Sequence, residues 1–265
     1  MAALRTFAIA LALTGPSLSA AQLNCHGPSN VEDFKYTWRL RGGLSWIAGL
    51  VFPTSGVGEM KTVFPKAGEQ PTINSELLIT STDRRTGFYA YQSEMDPAGE
   101  KTLMTYHAYA WKNKSRRERT VFDYAKRIAL IHKQTPDKQW DRTEPLPPEQ
   151  LRDVLTAIYY LRQNAATIKA PIVTSIYSDG KSYPVTLRPV EHRTFDMQGA
   201  RVDAFGFEIA DAPRGSGRKW PGGVRVWISD DSRRIPFRIE IQQSMQSLQL
   251  ELQSVESCAF MQARK

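Results

Sequence analysis

The sequence contains few of the residues from which common active sites are built. It has only two cysteines and four histidines among 265 residues. The histidines are scattered along the chain and none lies in an HExxH or HxxxH motif: His26, His107, His132 and His192. No GxSxG nucleophile elbow, P-loop or complete dinucleotide-binding fingerprint is present. A locally encoded metal, nucleotide or hydrolase site is therefore excluded, whereas a site assembled from distant residues stays open.

The sequence also lacks an apolar run of the about 20 residues that a membrane-spanning helix needs, and its mean hydropathy is −0.42. A shorter run, Phe7–Leu13, follows the basic Arg5 and precedes small residues that end at Ala21. This order is typical of a secretory signal peptide. We predict cleavage after Ala21, which divides the chain into a signal peptide (1–21) and one β-rich domain (22–265). The alternative is a buried N-terminal helix.

The two cysteines, Cys25 and Cys258, lie near opposite ends of the predicted mature chain. In an oxidising compartment such a pair most simply forms a disulfide, and two unpaired thiols are the alternative. A lipobox requires a small residue before its cysteine, and Asn24 is not one. We therefore expect a soluble exported protein with a Cys25–Cys258 bridge and no lipid anchor.

Charge is unbalanced towards basic residues, with 35 Lys and Arg against 27 Asp and Glu. The densest basic cluster comprises Lys112, Lys114, Arg116, Arg117 and Arg119. One hypothesis is that it contacts an anionic lipid headgroup or a polymer phosphate. The other is a solvated hairpin turn whose charges discourage edge pairing. Nucleic acid is not an expected partner, because an exported protein rarely meets it.

Alternating apolar and polar residues dominate the chain and predict a series of short strands joined by tight turns. A polar stretch, Thr135–Pro148, is interpreted as a linker. Helical spacing of apolar residues then predicts one substantial helix over Pro148–Asn164. Ser178-Asp179-Gly180 indicates a hairpin turn in the last third. The expected fold class is mainly β with one helix packed on an antiparallel sheet.

Aromatic side chains recur at a spacing of two residues within three predicted strands. Because residues i and i+2 of a strand share a face, each pair should lie side by side. The pairs are Tyr36 with Trp38, Tyr89 with Tyr91, and Tyr109 with Trp111. They could line an apolar groove that binds a ligand, or they could form ordinary core packing.

Three segments of the C-terminal half resemble an exported bacterial family of unknown function (DUF-3108 type). They are Leu146–Arg162, Ser178–Tyr183 and Val226–Pro236, and the run Trp227–Pro236 is the most specific part. The resemblance implies the periplasm or outer envelope of a Gram-negative bacterium. It also implies a fold similar to the lipoprotein carriers, a curved antiparallel sheet or half-barrel wrapped around one main helix. The family carries no agreed catalytic residues, so none is transferred.

The leading functional hypothesis is a non-enzymatic envelope protein that binds a lipid, an acyl chain or another amphipathic ligand in the concave face of the sheet. It depends on the aromatic pairs and on the resemblance in fold. A structural or adaptor protein that docks on envelope proteins or peptidoglycan is one alternative. A hydrolase with a site formed only in three dimensions is another. No cofactor or metal is expected.

Overall fold

A computed structural model describes residues 30–42, 53–81, 87–197, 200–212, 219–220, 222–243 and 246–257. The predicted signal peptide (1–21), Cys25 and Cys258 lie outside the described residues. Within them the chain forms fifteen strands and one helix. The strands are β1 (Val31–Arg41), β2 (Ser55–Val63), β3 (Ile73–Ser81), β4 (Gly87–Met95), β5 (Thr102–Trp111), β6 (Lys114–Asp123), β7 (Ile128–Gln134), β8 (Gln139–Pro145), β9 (Leu151–Arg152), β10 (Ile172–Ser178), β11 (Lys181–Met197), β12 (Ala200–Asp211), β13 (Gly222–Ser229), β14 (Pro236–Gln243) and β15 (Gln246–Ser257).

The described strands form one sheet, in the order β8-β7-β6-β5-β4-β3-β2-β1-β15-β14-β13-β12-β11-β10-β9. All neighbours are antiparallel except β9 and β10, which are parallel. Two meanders therefore meet where β1 pairs with β15, and the edges of the sheet are β8 and β9. The prediction of a mainly β, antiparallel fold is confirmed.

One face of the sheet carries the core, as the period-two patterns predict. On β1 the side chains of Phe34, Tyr36 and Trp38 are buried, whereas the intervening Lys35 and Thr37 are partly exposed. The largest apolar cluster combines residues from both meanders with residues of the helix. The inner faces of the two meanders therefore share one core.

The two ends of the sheet overlap. Tyr177 on β10 points away from the face that carries Ile176, because neighbouring strand residues alternate. Its ring packs edge-on against Phe122 of β6, with ring centroids 4.9 Å apart. Its hydroxyl forms a 2.8 Å hydrogen bond with the hydroxyl of Thr120, also on β6. The outer face of β10 thus lies against the inner face of β6, and the sheet is rolled.

The helix, α1, spans Val154–Asn164 and is six residues shorter at its start than the predicted Pro148–Asn164. The difference has a local cause. Leu151–Arg152 form the short strand β9 beside β10, so this segment is extended. The helix then begins behind Asp153, whose side chain accepts a 2.7 Å hydrogen bond from the backbone N–H of Thr156.

The prediction of a linker over Thr135–Pro148 was also wrong in part, because Gln139–Pro145 forms the edge strand β8, which pairs with β7. Its side chains are polar and largely exposed, so the segment lacks the apolar alternation that marks inner strands. Backbone pairing with β7 supplies its structure instead. The Ser178-Asp179-Gly180 turn is confirmed between β10 and β11.

Candidate binding site inside the rolled sheet

Two adjoining cavities lie between the meanders. The larger has a volume of about 450 Å³ and the smaller about 300 Å³. Tyr91 and Ile241 line both of them, so the two spaces adjoin through these side chains. The volumes fall within the range of ligand pockets, which are lined mainly by apolar and aromatic groups with a few polar ones.

Four of the six predicted aromatic residues line these cavities. Trp38, Tyr89, Tyr91 and Trp111 line the smaller cavity, and Tyr91 also lines the larger. The cross-strand register explains this placement, since Tyr89 faces Tyr109 and Gly87 faces Trp111. The wall is therefore aromatic because β4 and β5 present the same face to the interior.

The other two predicted aromatics have different surroundings. Tyr109 does not line either cavity, but its ring stacks on that of Tyr89 with centroids 6.0 Å apart. Tyr36 is fully buried and its hydroxyl donates a 2.7 Å hydrogen bond to the carbonyl of Pro236. Burial raises the pKa of Tyr36 well above its usual range. Tyr36 thus ties β1 to the start of β14.

The inner wall changes from apolar to charged across neighbouring strands. One row of cross-strand neighbours on β3 to β7 shows this change: Leu77, Tyr91, His107, Glu118 and Lys133. Tyr91 and His107 stack with ring centroids 4.5 Å apart. Burial raises the pKa of Tyr91 to about 12 and lowers the pKa of His107, because each ring is more stable uncharged there.

An ionic cluster of Arg116, Glu118, Lys133 and Asp179 lies at the charged end of this row. Glu118 is 3% exposed, and its carboxylate forms ion pairs with Arg116 and with Lys133, each at 2.6 Å. Asp179, from the β10–β11 turn, pairs closely with Arg116 and lies 3.8 Å from Lys133. Glu118 and Asp179 line the larger cavity. Burial alone would lower the pKa of Arg116, but its carboxylate partners raise it overall.

Asp153 is a third carboxyl group on the wall of the larger cavity, besides Glu118 and Asp179. Besides capping α1 with its side chain, Asp153 donates its own backbone N–H to the hydroxyl oxygen of Thr102 at 2.8 Å. The pKa of Asp153 is raised, because burial disfavours its charge more than the surrounding hydrogen bonds favour it. The start of α1 therefore places a buried acidic group beside the cavity.

The predicted basic cluster does not form one surface. Lys114 and Arg116 lie in the inner-face register of β6, whereas Arg117 and Arg119 are exposed in the outer-face register. Lys112 is at the β5–β6 turn, with its ammonium group 5.7 Å from the ring centre of Trp111. Alternation along β6 separates these residues, so they cannot act together on one anion.

Sequence reasoning missed four polar residues: His107, Glu118 and Asp153, which line the larger cavity, and Lys133, which pairs with Glu118. They are far apart in the sequence, and no local motif contains them. The one available indication was the Ser178-Asp179-Gly180 turn. It identifies a hairpin but not the strand against which the turn lies.

Within the described ranges, no three His, Cys, Asp or Glu side chains are grouped as a metal site would require. The helical structure within the same ranges includes nothing long and apolar enough to span a bilayer.

The fold and the cavities define a class of protein: a rolled, antiparallel, barrel-like sheet with internal space beside one helix. A solved protein has a similar fold: "Beta-barrel-like Protein of Domain of Unknown Function DUF1849 from Brucella abortus", with a TM-score of 0.52 and 11% identity. The match covers 86% of this chain and 98% of that one. The family model "Protein of unknown function (DUF3108)" matches residues 51–253, and the chain belongs to that family. No curated protein matches this chain.

Proposed function

We propose that this protein binds an amphipathic ligand with a single apolar chain inside the rolled sheet and acts in the bacterial envelope without catalysing a reaction. The observation that carries the proposal is the pair of adjoining cavities with an aromatic wall. An apolar chain bound there would be removed from bulk water and would contact aromatic and aliphatic side chains on both sides.

The contacts of α1 with the shared core and with the larger cavity support this role. Leu155, Ile158 and Leu161 pack into the core that both meanders share. Val154 and Leu155, at the start of the helix, line the larger cavity. The helix would therefore fill one part of a curved sheet and leave the remainder open to a ligand, as the lipoprotein-carrier resemblance predicts.

The engagement of the charged groups supports binding rather than catalysis. Glu118 is paired with Arg116 and Lys133 at 2.6 Å each, so its carboxylate is already engaged by two side chains of the protein. Asp153 caps the helix with its side chain. These charged groups therefore maintain the structure around the cavity. The proposed location in the envelope has a separate basis, the signal-peptide pattern at the N-terminus.

The test is to fill the cavity. Ile241 lines both cavities, and Ile241→Trp would place a larger ring in the space they share. Val173→Trp is the matched control, because Val173 is on another strand and 65% exposed. Binding of a fluorescent fatty-acid analogue and of dodecanol would be measured for each variant by titration, with thermal melts to confirm folding.

We expect Ile241→Trp to lose binding by tenfold or more while Val173→Trp binds as the wild type does, where tenfold corresponds to about 1.4 kcal/mol. Native mass spectrometry of the purified protein should also show a co-purified amphiphile. Unchanged binding in a folded Ile241→Trp variant would contradict the cavity as the site.

A further inference from the structure

The β10–β11 turn is shaped to place a carboxylate on the ionic cluster. Asp179 and Gly180 both have positive φ angles, of 52° and 71°. A Cβ on Gly180 would be 2.4 Å from Nη2 of Arg142 and 2.9 Å from Nζ of Lys133. Only glycine fits this approach without displacing a cation. The turn therefore lies directly against Lys133 and Arg142, and Asp179 reaches Arg116.

The two carboxylates of the cluster differ in how firmly they are held. Glu118 is almost fully buried between Arg116 and Lys133. Asp179 is 60% exposed, and its distance from Lys133 is 3.8 Å against 2.6 Å for Glu118. An exposed ion pair contributes little to stability. Asp179 is therefore the carboxylate that another anion could replace at small cost.

Arg116 also has unused hydrogen-bonding capacity. Its Nη2 donates to both Glu118 and Asp179, whereas its Nε is buried without a hydrogen-bond partner in the part of the chain that the structure describes. Within the same described residues, Nε of the nearby Arg142 is likewise buried without a hydrogen-bond partner. A guanidinium group binds carboxylate or phosphate best through two parallel N–H groups. The cluster thus retains donors that suit a planar or tetrahedral anion.

We propose that Arg116 and Lys133 bind the anionic headgroup, a carboxylate or phosphate, of the amphipathic ligand, and that Asp179 occupies this position until the ligand replaces it. This inference rests on the proposed function, since the apolar chain would lie in the two cavities. Glu118 and Asp179 line the larger cavity, so a headgroup at Arg116 is continuous with it.

The experiment compares three ligands with the same chain, namely dodecanoate, dodecyl phosphate and the neutral dodecanol, each below its critical micelle concentration. Asp179→Asn removes the competing charge at constant shape, and Arg116→Gln removes the headgroup contact. The matched controls are Asp141→Asn, an exposed carboxylate on β8, and Arg117→Gln, which is exposed in the outer-face register of the same strand. Isothermal titration gives the affinities, and thermal melts confirm folding.

We expect the wild type to bind the two anions more tightly than dodecanol. Asp179→Asn should raise anion affinity by about tenfold, Arg116→Gln should lower it by at least as much, and neither should alter dodecanol binding. The two controls should behave as the wild type does. A preference between the anions would identify the headgroup as carboxylate or phosphate.

If dodecanol binds but the two anions bind no more tightly than it does, or if anion affinity does not respond to Asp179→Asn, this inference is overturned and the cavity proposal stays intact. Failure of all three ligands, dodecanol included, would overturn the cavity proposal and the headgroup site together.

Discussion

Replacing Glu32 with glutamine tests the most deeply buried charge pair in the described structure. Arg162 of α1 donates to the two carboxylate oxygens of Glu32 on β1 at 2.7 and 2.9 Å, and both side chains are almost fully buried. Arg162 also donates 2.7 Å to the carbonyl of Arg234. Burial lowers the pKa of Arg162, but the pairing with Glu32 raises it overall, so the guanidinium stays charged.

Glu32→Gln would leave this buried cation without its counter-charge. Removing one partner of a buried ion pair costs about 3–5 kcal/mol, because the remaining charge keeps its desolvation penalty. In a domain of this size each kcal/mol shifts the melting temperature by roughly 2–4 °C. We therefore expect a decrease of about 6–20 °C in the thermal melt.

Glu251→Gln is the matched control. Glu251 pairs with Arg238 at 2.8 Å, but both side chains are partly exposed, so the same change should cost at most about 1 kcal/mol. Urea titrations followed by tryptophan fluorescence would give both free energies of unfolding. Equal losses in the two variants would refute the argument from burial, as would a Glu32→Gln variant as stable as the wild type.

Three further predictions concern stability. Asp153→Asn keeps a side chain that can cap the helix but removes the buried carboxyl. Because the pKa of Asp153 is raised in the folded state, the wild type is relatively most stable below the unfolded pKa of 3.8. It loses that stability as the pH rises through the folded pKa. The variant should therefore gain stability relative to the wild type with rising pH in chemical denaturation, and a constant difference would contradict this. Gly56→Ala would place a Cβ against both the backbone carbonyl of Thr80 and the indole of Trp38, which donates a hydrogen bond to that carbonyl, so we expect a loss of about 1–3 kcal/mol or more and altered tryptophan fluorescence. Cys25→Ser with Cys258→Ser should lower the melting temperature if the two form a bridge worth up to about 5 kcal/mol; an unchanged value in non-reducing buffer would refute the bridge.

The sequence by itself determined the elements whose pattern is local. Alternation along β1 placed Tyr36 and Trp38 on one face, and Ser178-Asp179-Gly180 specified a hairpin turn. The resemblance in the C-terminal half identified the family, which the match over 51–253 confirms. Each of these predictions depends on neighbouring residues or short motifs, so it can be made without knowing which strands pair with each other.

Only the tertiary structure decided where α1 begins and how the cavity wall is charged. Leu151 is extended because β10 lies beside it, although its spacing also suits a helix. Glu32 and Arg162 pair across 130 residues, and Asp179 meets Arg116 across 63. These contacts arise because the sheet rolls until its two ends overlap. No local pattern encodes that overlap, since it depends on the register and twist accumulated over many strands.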